Sequence, residues 1–319
     1  MTDNHTSPAA LIAVDWGTSS LRAWLLDADG QVLDARRSDQ GLMQVTDSDF
    51  AGTYHALVRE WVRAHGRCPA IACGMIGSQG GWQEVPYIET PAAPASLAKR
   101  LVVIDTEAGA FHIVPGVMQA PAAGRLADVM RGEETQSLGA LALEPTLAAS
   151  ARLITPGTHS KWITVEDGRL GAFATYMTGE LYALLTAHSI LGRPAQAHAG
   201  TPDPAAFDLG VATARDTGET GGMRALFSAR SRWLAGELPA ADTSAYLSGL
   251  LIGEELRSAL SNDDHKTPIC LIGDADLCAR YQRALMQFDR APARVIEDAA
   301  RHGLWQIAEQ AGLLTKEQL

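Results

Sequence analysis

The sequence predicts an α/β protein of two domains, each a mixed sheet flanked by helices. Three observations support this. The chain has 319 residues, 46% hydrophobic and 20% charged, enough apolar material for two ordinary cores and too much for a disordered polymer. A strand, a Gly-Thr-x-Ser turn and a second strand occur near the N-terminus and again near the middle. Short apolar runs alternate with helical periodicities through the second half, as strands covered by helices require.

Residues 11–14 and 21–26 are apolar runs separated by Asp-Trp-Gly-Thr-Ser-Ser, and an Asp-Ala-Asp-Gly turn leads into a third run at 31–35, which makes an antiparallel meander. From Phe50, the positions Tyr54, Leu57, Val58, Trp61 and Val62 recur at helical spacing, with Ser48 or Asp49 as N-cap and Gly66 as the stop. A strand at 70–73 then ends in the glycine-dense loop 74–82, at the strand end where open α/β sheets bind ligands. Residues 90–96 read as irregular connection. The stretch 114–124, with two prolines and two glycines, reads as the boundary between domains 1–121 and 122–319. Beyond it come a helix over 133–143, strands at 152–154 and 162–165 around Pro-Gly-Thr-His-Ser-Lys, and a polar loop over 193–204. Helices at 246–260, 277–288 and 304–314 alternate with buried strands at 269–272 and 294–296.

Setting Leu11-Ile12 against Leu153-Ile154 brings Gly17, Thr18 and Ser20 onto Gly157, Thr158 and Ser160, and the following turns, Asp29-Gly30 and Asp167-Gly168, also coincide. Either hairpin alone is explained by ordinary turn geometry. Together they argue for a duplicated unit, whose two copies offer the backbone N–H groups and hydroxyls that a polyphosphate takes.

Several function classes lose their support. With 26 Lys+Arg against 37 Asp+Glu the formal charge is -11, which disfavours a broad basic surface for nucleic acid or anionic lipid. No apolar run is long enough to span a membrane and residues 1–8 lack a secretory leader's pattern, so a soluble cytoplasmic protein is expected. Cys68, Cys73, Cys270 and Cys278 show no zinc spacing and read as reduced thiols in or near the core, with a disulfide left open. P-loop, Rossmann, nucleophile-elbow and zincin signatures are absent.

Asp15-Trp-Gly17-Thr18-Ser19-Ser20-Leu-Arg22 resembles the first phosphate motif of the carbohydrate kinases in the acetate and sugar kinase, heat-shock chaperone and actin superfamily. More closely, the chain resembles the 2-dehydro-3-deoxygalactonokinase family. That resemblance rests on Val14-Asp-Trp-Gly-Thr-Ser-Ser, Cys73-Gly-Met-Ile-Gly-Ser, Met130-Arg-Gly-Glu-Glu-Thr-Gln, Pro156-Gly-Thr-His-Ser-Lys-Trp, Met177-Thr-Gly-Glu-Leu and Ser248-Gly-Leu-Leu-Ile-Gly. It implies two actin-like (ribonuclease H-like) domains around a central ATP and sugar cleft. It also implies ATP-dependent, Mg²⁺-assisted phosphorylation of 2-dehydro-3-deoxy-D-galactonate at its 6-hydroxyl. The partners are then ATP and a small sugar acid, with no nucleic acid and no membrane, and a homo-oligomer is compatible with this reading.

The resemblance assigns roles by position. Asp15 holds Mg²⁺, directly or through water, or else caps its turn. Gly17, Thr18, Ser19, Ser20 and Arg22 bind phosphate oxygens, met by Gly157, Thr158 and His159, with Lys161 either joining them or solvated. Arg22 has the alternative of a surface ion pair. Glu133, at a helix start after Gly132, is the base that accepts the hydroxyl proton, with Glu134 as the alternative. Arg131 receives the substrate carboxylate, Gly74, Met75, Gly77, Ser78 and Trp82 form the sugar wall, and Thr178 and Glu180 approach the same site. Gly273, Asp274 and Ala275 stand where the superfamily's adenosine motif falls, with one glycine instead of two, while Leu277, Ala279 and Tyr281 pack the following helix. The rivals are a kinase for another sugar or sugar acid and a non-catalytic ATP-binding regulator of the same fold.

Overall fold

The computed structural model describes residues 8–198, 200–217, 221–261, 264–290 and 294–314. The stretch read for a secretory leader lies, up to residue 7, outside the described residues. The first half of the chain forms β1 (Ala9–Trp16), β2 (Leu21–Asp27), β3 (Val32–Ser38), α1 (Phe50–His65), β4 (Ala70–Gly74), β5 (Ile88–Glu89), α2 (Pro94–Ala98), β6 (Val102–Thr106), β7 (Gly109–Ile113), β8 (Val117–Gln119), β9 (Asp128–Met130) and α3 (Glu133–Leu143). The second half forms β10 (Ser150–Thr155), β11 (Ser160–Glu166), β12 (Arg169–Tyr176), α4 (Thr178–His188), α5 (Arg193–Ala197), α6 (Pro204–Asp216), α7 (Gly222–Leu226), α8 (Ser228–Leu234), α9 (Thr243–Ala259), β13 (Ile269–Ile272), α10 (Ala275–Met286), β14 (Arg294–Ile296) and α11 (Ala299–Gln310).

The expected duplication is visible in the sheets. The first has the order β3-β2-β1-β4-β7-β6 and the second β12-β11-β10-β13-β14, so each begins with a meander and continues beyond its first strand, by three strands in the first sheet and two in the second. In the first sheet β1 pairs antiparallel with β2 and parallel with β4; in the second β10 pairs parallel with β13 and β13 with β14. A mixed sheet opened by a meander is the actin-like arrangement the motifs implied. Among the described residues no helix is long and apolar enough to cross a membrane, and all four cysteines are buried and outside any disulfide.

Local signals explain most boundaries. Asp49 caps α1 by accepting the N–H of Gly52 at 2.8 Å, and Gly66 ends the helix with φ of +81°. Phe50, Tyr54, Val58 and Trp61 of α1 pack on Ile12, Val14, Trp16 and Phe111, the core of the first sheet. In the second, Ile154, Leu271, Val211, Ile252, Leu256 and Tyr281 form the main core.

Contacts divide the chain into two units: residues 1–150, 164–173 and 298–319, and residues 151–163 and 174–297. This differs from the expected boundary at 121/122. The proline- and glycine-containing stretch is no linker, because Val114, Val117 and Gln119 are buried and β8 pairs with β5 and β9 in a small sheet of the first unit. The last helix also returns to the first unit. There α11 crosses α3 with backbones in contact: a Cβ on Gly303 would lie 1.9 Å from the Thr135 carbonyl oxygen, and one on Gly139 1.8 Å from that of Ala299. Two further expectations change: residues 193–204 include the short helix α5 with Pro194 buried, and residues 90–96 include the start of α2.

Candidate active site

In the first unit, the strand ends of β1 and β4 bring Asp15 beside Cys73 and Trp16 beside Gly74. Gly74 has φ of +93°, and a Cβ there would meet the Trp16 carbonyl oxygen at 2.6 Å. Gly132, with φ of +106°, stacks on Gly74, its would-be Cβ 3.3 Å from the Gly74 Cα. Only glycine suits these two places. The start of α3, with Glu133 and Glu134, therefore lies against the strand ends that carry Asp15.

The two glutamates differ sharply. Glu134 is fully buried, accepting from the Gly132 N–H at 2.6 Å and the Thr135 hydroxyl at 2.8 Å. Burial, with the Glu133 charge adding to it, raises its pKa to about 7. Glu133 is half-buried, and its carboxylate accepts the Arg131 backbone N–H at 3.0 Å. Asp15 is 9% exposed. It accepts from Arg22 Nη2 at 2.6 Å, and its other oxygen lies 3.9 Å from Cys73 Sγ. Burial, the Asp15 and Glu134 charges beside it adding to the effect, pushes the Cys73 thiol well above its usual value, which keeps it protonated.

Arg22 takes the ion-pair alternative, since its other nitrogen reaches Asp298 at 3.3 Å. Gly17 and Ser20 close the first Gly-Thr-Ser-Ser turn by a 2.9 Å backbone bond, and Thr18, Ser19 and Ser20 are exposed. Their hydroxyls have no partner among the described residues. Sequence reasoning missed Gly41, which backs this turn so closely that a Cβ would stand 2.3 Å from the Ser19 carbonyl carbon.

In the loop after β4, the N–H and hydroxyl of Ser78 both bond the Met75 carbonyl, at 3.0 and 2.7 Å. Arg131 anchors this segment to α3. Its Nη2 donates to the Val85 carbonyl at 2.7 Å, its guanidinium stacks 4.4 Å from the Tyr87 ring centre, and Nη1 would be 2.9 Å from a Cβ on Gly77. Arg131 Nε and Nη1 are buried without a hydrogen-bond partner. Trp82, expected in the sugar wall, packs edge-on or tilted against Trp16, Tyr54 and Phe111 at 4.9–6.4 Å, because an indole gains more from that aromatic core than from standing free.

In the second unit, a cavity of about 250 Å³ is lined by residues that include Gly157, Thr158, Thr178, Gly179, Leu277 and Tyr281. A second cavity, of about 310 Å³, shares Tyr182, Ser248 and Arg280 with it and extends to Pro204 and Phe207. Leu277 and Tyr281 thus line a cavity as well as packing their helix. Gly273 (φ +140°), Asp274 and Ala275 line neither cavity, and Asp274 caps α10 by accepting the Leu277 N–H at 3.0 Å. Ser248 and Arg280 went unassigned; the Ser248–Gly253 motif was the signal for the first, and nothing flagged the second.

The remaining expected residues are tied to the second turn. His159 Nε2 and Glu180 Oε2 are 2.5 Å apart, both half-exposed, and the Glu180 N–H donates to the Thr158 carbonyl at 3.0 Å. Glu180 is thus engaged with the second hairpin through both its side chain and its backbone. Thr178 donates its only hydroxyl proton to Glu255, so its side chain can offer a ligand no donor. Lys161 is 5% exposed, which rules out the solvated alternative.

The sequence profile of the 2-keto-3-deoxy-galactonokinase family matches residues 15–307. A Rhizobium meliloti (strain 1021) protein named a probable 2-dehydro-3-deoxygalactonokinase is 40% identical over 302 residues, covering 94% of this chain and 96% of its own. The 2-dehydro-3-deoxygalactonokinase of Escherichia coli (strain K12) is 34% identical over 292 residues, covering 92% and 94%. The crystal structure of a protein from Sinorhizobium meliloti, described as a putative 2-dehydro-3-deoxygalactonokinase, superposes with a TM-score of 0.86 at 39% identity, covering 94% of this chain and 98% of that one. This chain belongs to the 2-keto-3-deoxy-galactonokinase family.

Proposed function

We propose that this protein transfers the γ-phosphoryl group of ATP to the 6-hydroxyl of 2-dehydro-3-deoxy-D-galactonate, in the cytoplasm. The observation that carries this is the similarity along nearly the whole chain to relatives named for that substrate, 40% and 34% identical. In-line phosphoryl transfer needs a clamped phosphate, charge neutralisation and an aligned acceptor hydroxyl beside a base.

Each need has a candidate. Glu133 is the base: it stands half-buried at a helix N-terminus, whereas Glu134 is sealed in the core, held by the Gly132 N–H and the Thr135 hydroxyl. The exposed Thr18, Ser19 and Ser20 hydroxyls offer donors to phosphate oxygens, and the Gly157–Thr158 turn, taken by itself, offers backbone N–H groups of the same kind. The nucleoside lies along the two adjoining cavities of the second unit, with Arg280 and Tyr182 on their shared wall. Arg131, two residues before Glu133, is the cation offered to the substrate carboxylate.

Asp15 suits Mg²⁺. That ion uses one or two carboxylates and takes its remaining ligands from water and phosphate oxygens, and no cluster of three acidic, His or Cys ligands exists among the described residues to hold it otherwise. When bound, the ion neutralises charge on the phosphates; Asp15 would hold it and Arg22 would be released to the phosphates.

The test is ADP formation from Mg·ATP with 2-dehydro-3-deoxy-D-galactonate, beside its gluconate epimer, glycerol, xylulose and a control without sugar. Selective turnover of the galactonate compound is expected. Selective turnover of another acceptor would replace the substrate. A folded protein that binds ATP but turns over none of them would overturn the galactonate reading in favour of a sensor or of a substrate outside this panel.

A further inference from the structure

Three of the motifs that distinguish this sequence meet at a side chain to which no role has been given. Glu255, on α9 two residues past the Ser248–Gly253 stretch, is 2% exposed. Its Oε1 accepts from the Ser160 hydroxyl and the Trp162 indole N–H, both at 2.7 Å, and its Oε2 from the Tyr281 hydroxyl at 2.7 Å and from the Thr178 hydroxyl. Four donors fill the carboxylate's acceptor sites. No ion pair to Glu255 occurs among the described residues, so neutral dipoles alone hold the charge. Burial raises its pKa, and the four hydrogen bonds offset only part of that rise.

A buried carboxylate is an expensive way to gain stability alone, since a well-packed apolar side chain does as well. Its donors are better explained by where they sit. Ser160 and Trp162 follow the second phosphate turn on β11. Thr178 opens α4 and is followed by Gly179, which lies so close to that turn that a Cβ would be 2.3 Å from the Gly157 carbonyl oxygen. Tyr281 comes from α10, and Thr178, Gly179 and Tyr281 line the 250 Å³ cavity together with Gly157 and Thr158.

We propose that Glu255 is a positioning residue for the nucleotide. It joins β11, α4 and α10 at one point and sets the register of the turn and wall that receive ATP. This inference rests on the reading of that cavity as the nucleotide site. It has a directional consequence: Thr178 and Tyr281 give their single protons to Glu255, so both can meet the nucleotide only as acceptors.

Glu255→Gln in the full chain tests this, because it preserves size and reverses polarity. The Trp162 N–H can only donate, so the new amide must keep its oxygen towards Ser160 and Trp162 and turn its NH₂ towards Thr178 and Tyr281. Those hydroxyls then accept and redirect their protons. The expected result is a Kd for ADP, by calorimetry, and a KM for ATP raised about 10- to 100-fold, as for loss of a charge-assisted hydrogen bond. The KM for the sugar acid should stay within about twofold. Tyr281→Phe keeps the ring and removes one donor, and a rise of about 3- to 10-fold in the same two quantities is expected; it decides alone if Glu255→Gln fails to fold. Unchanged ADP affinity in the folded variants, or equal losses for both substrates alongside a lowered Tm, would overturn the positioning role. Wild-type protein that binds no ADP would instead remove the nucleotide reading on which it rests.

Discussion

Replacing Gly303 by Ala sets two effects against each other. In an open helix, Gly to Ala stabilises by about 1 kcal/mol through helix propensity. At the α3–α11 crossing the added Cβ would sit 1.9 Å from the Thr135 carbonyl oxygen, whereas ordinary contact begins near 3.4 Å, so the helices must part by about 1.5 Å. Backbone cannot swing aside as a side chain does. Overpacking of this kind costs about 1–3 kcal/mol, and the opened crossing also weakens the burial of Leu304, Ile307 and Leu138. Set against the propensity gain, the expected net loss is about 1 kcal/mol, a fall in Tm of about 2–4 °C for a unit of this size. Thr135 lies two residues from Glu133, and a displacement of about 1 Å at a reacting group costs about 10²-fold; kcat should fall with Tm. Gly139→Ala opens the same crossing, with its Cβ 1.8 Å from the Ala299 carbonyl oxygen, so the double variant should lose less than the sum. Thermal unfolding and steady-state kinetics of the three variants give the answer. A Gly303→Ala protein as stable as wild type would refute the close crossing.

Glu133→Gln should lower kcat by about 10²- to 10⁴-fold with ATP binding intact, and near-normal turnover would end its assignment as the base. Asp15→Asn should raise the Mg²⁺ concentration needed for half-maximal rate; an unchanged requirement would return Asp15 to capping its turn. Glu134 titrates near 7 in the folded protein against about 4.5 unfolded, so its contribution is fully present below the lower value and is lost as pH rises through the upper. Relative to Glu134→Gln, wild type should lose about 3 kcal/mol of unfolding free energy between pH 4.5 and 8 in denaturant titrations. A difference that does not change with pH would mean that this carboxyl is not perturbed.

Periodicity and turn chemistry made much of the fold legible. The 3.6-residue spacing of Tyr54, Val58 and Trp61, capped by Asp49 and stopped by Gly66, returned α1 nearly to the residue, and strands at 269–272 and 294–296 fell where expected. These are local matters, decided by neighbours a few residues apart. The duplicated hairpins were equally legible, because a turn and its flanking strands carry their signal in sequence.

The expected boundary at 121/122 failed because prolines and glycines mark chain reversal, and a small sheet built from β5, β8 and β9 needs reversals as much as a linker does. That Glu134 is sealed while Glu133 is accessible could not be read from two adjacent glutamates; it follows from the packing of α3 against the strand ends and α11. Trp82 looked like a sugar wall until its aromatic neighbours, 28 to 66 residues away, were in place. Glu255 gave no sign beside Glu254, since its four donors come from positions 26 to 95 residues distant. Identity, turns and helical faces are properties of short stretches of chain, so the residues alone sufficed for them. Burial, charge pairing and the division of labour between neighbouring acids depend on which distant segments exclude water from a group, and that is set only when the chain closes on itself.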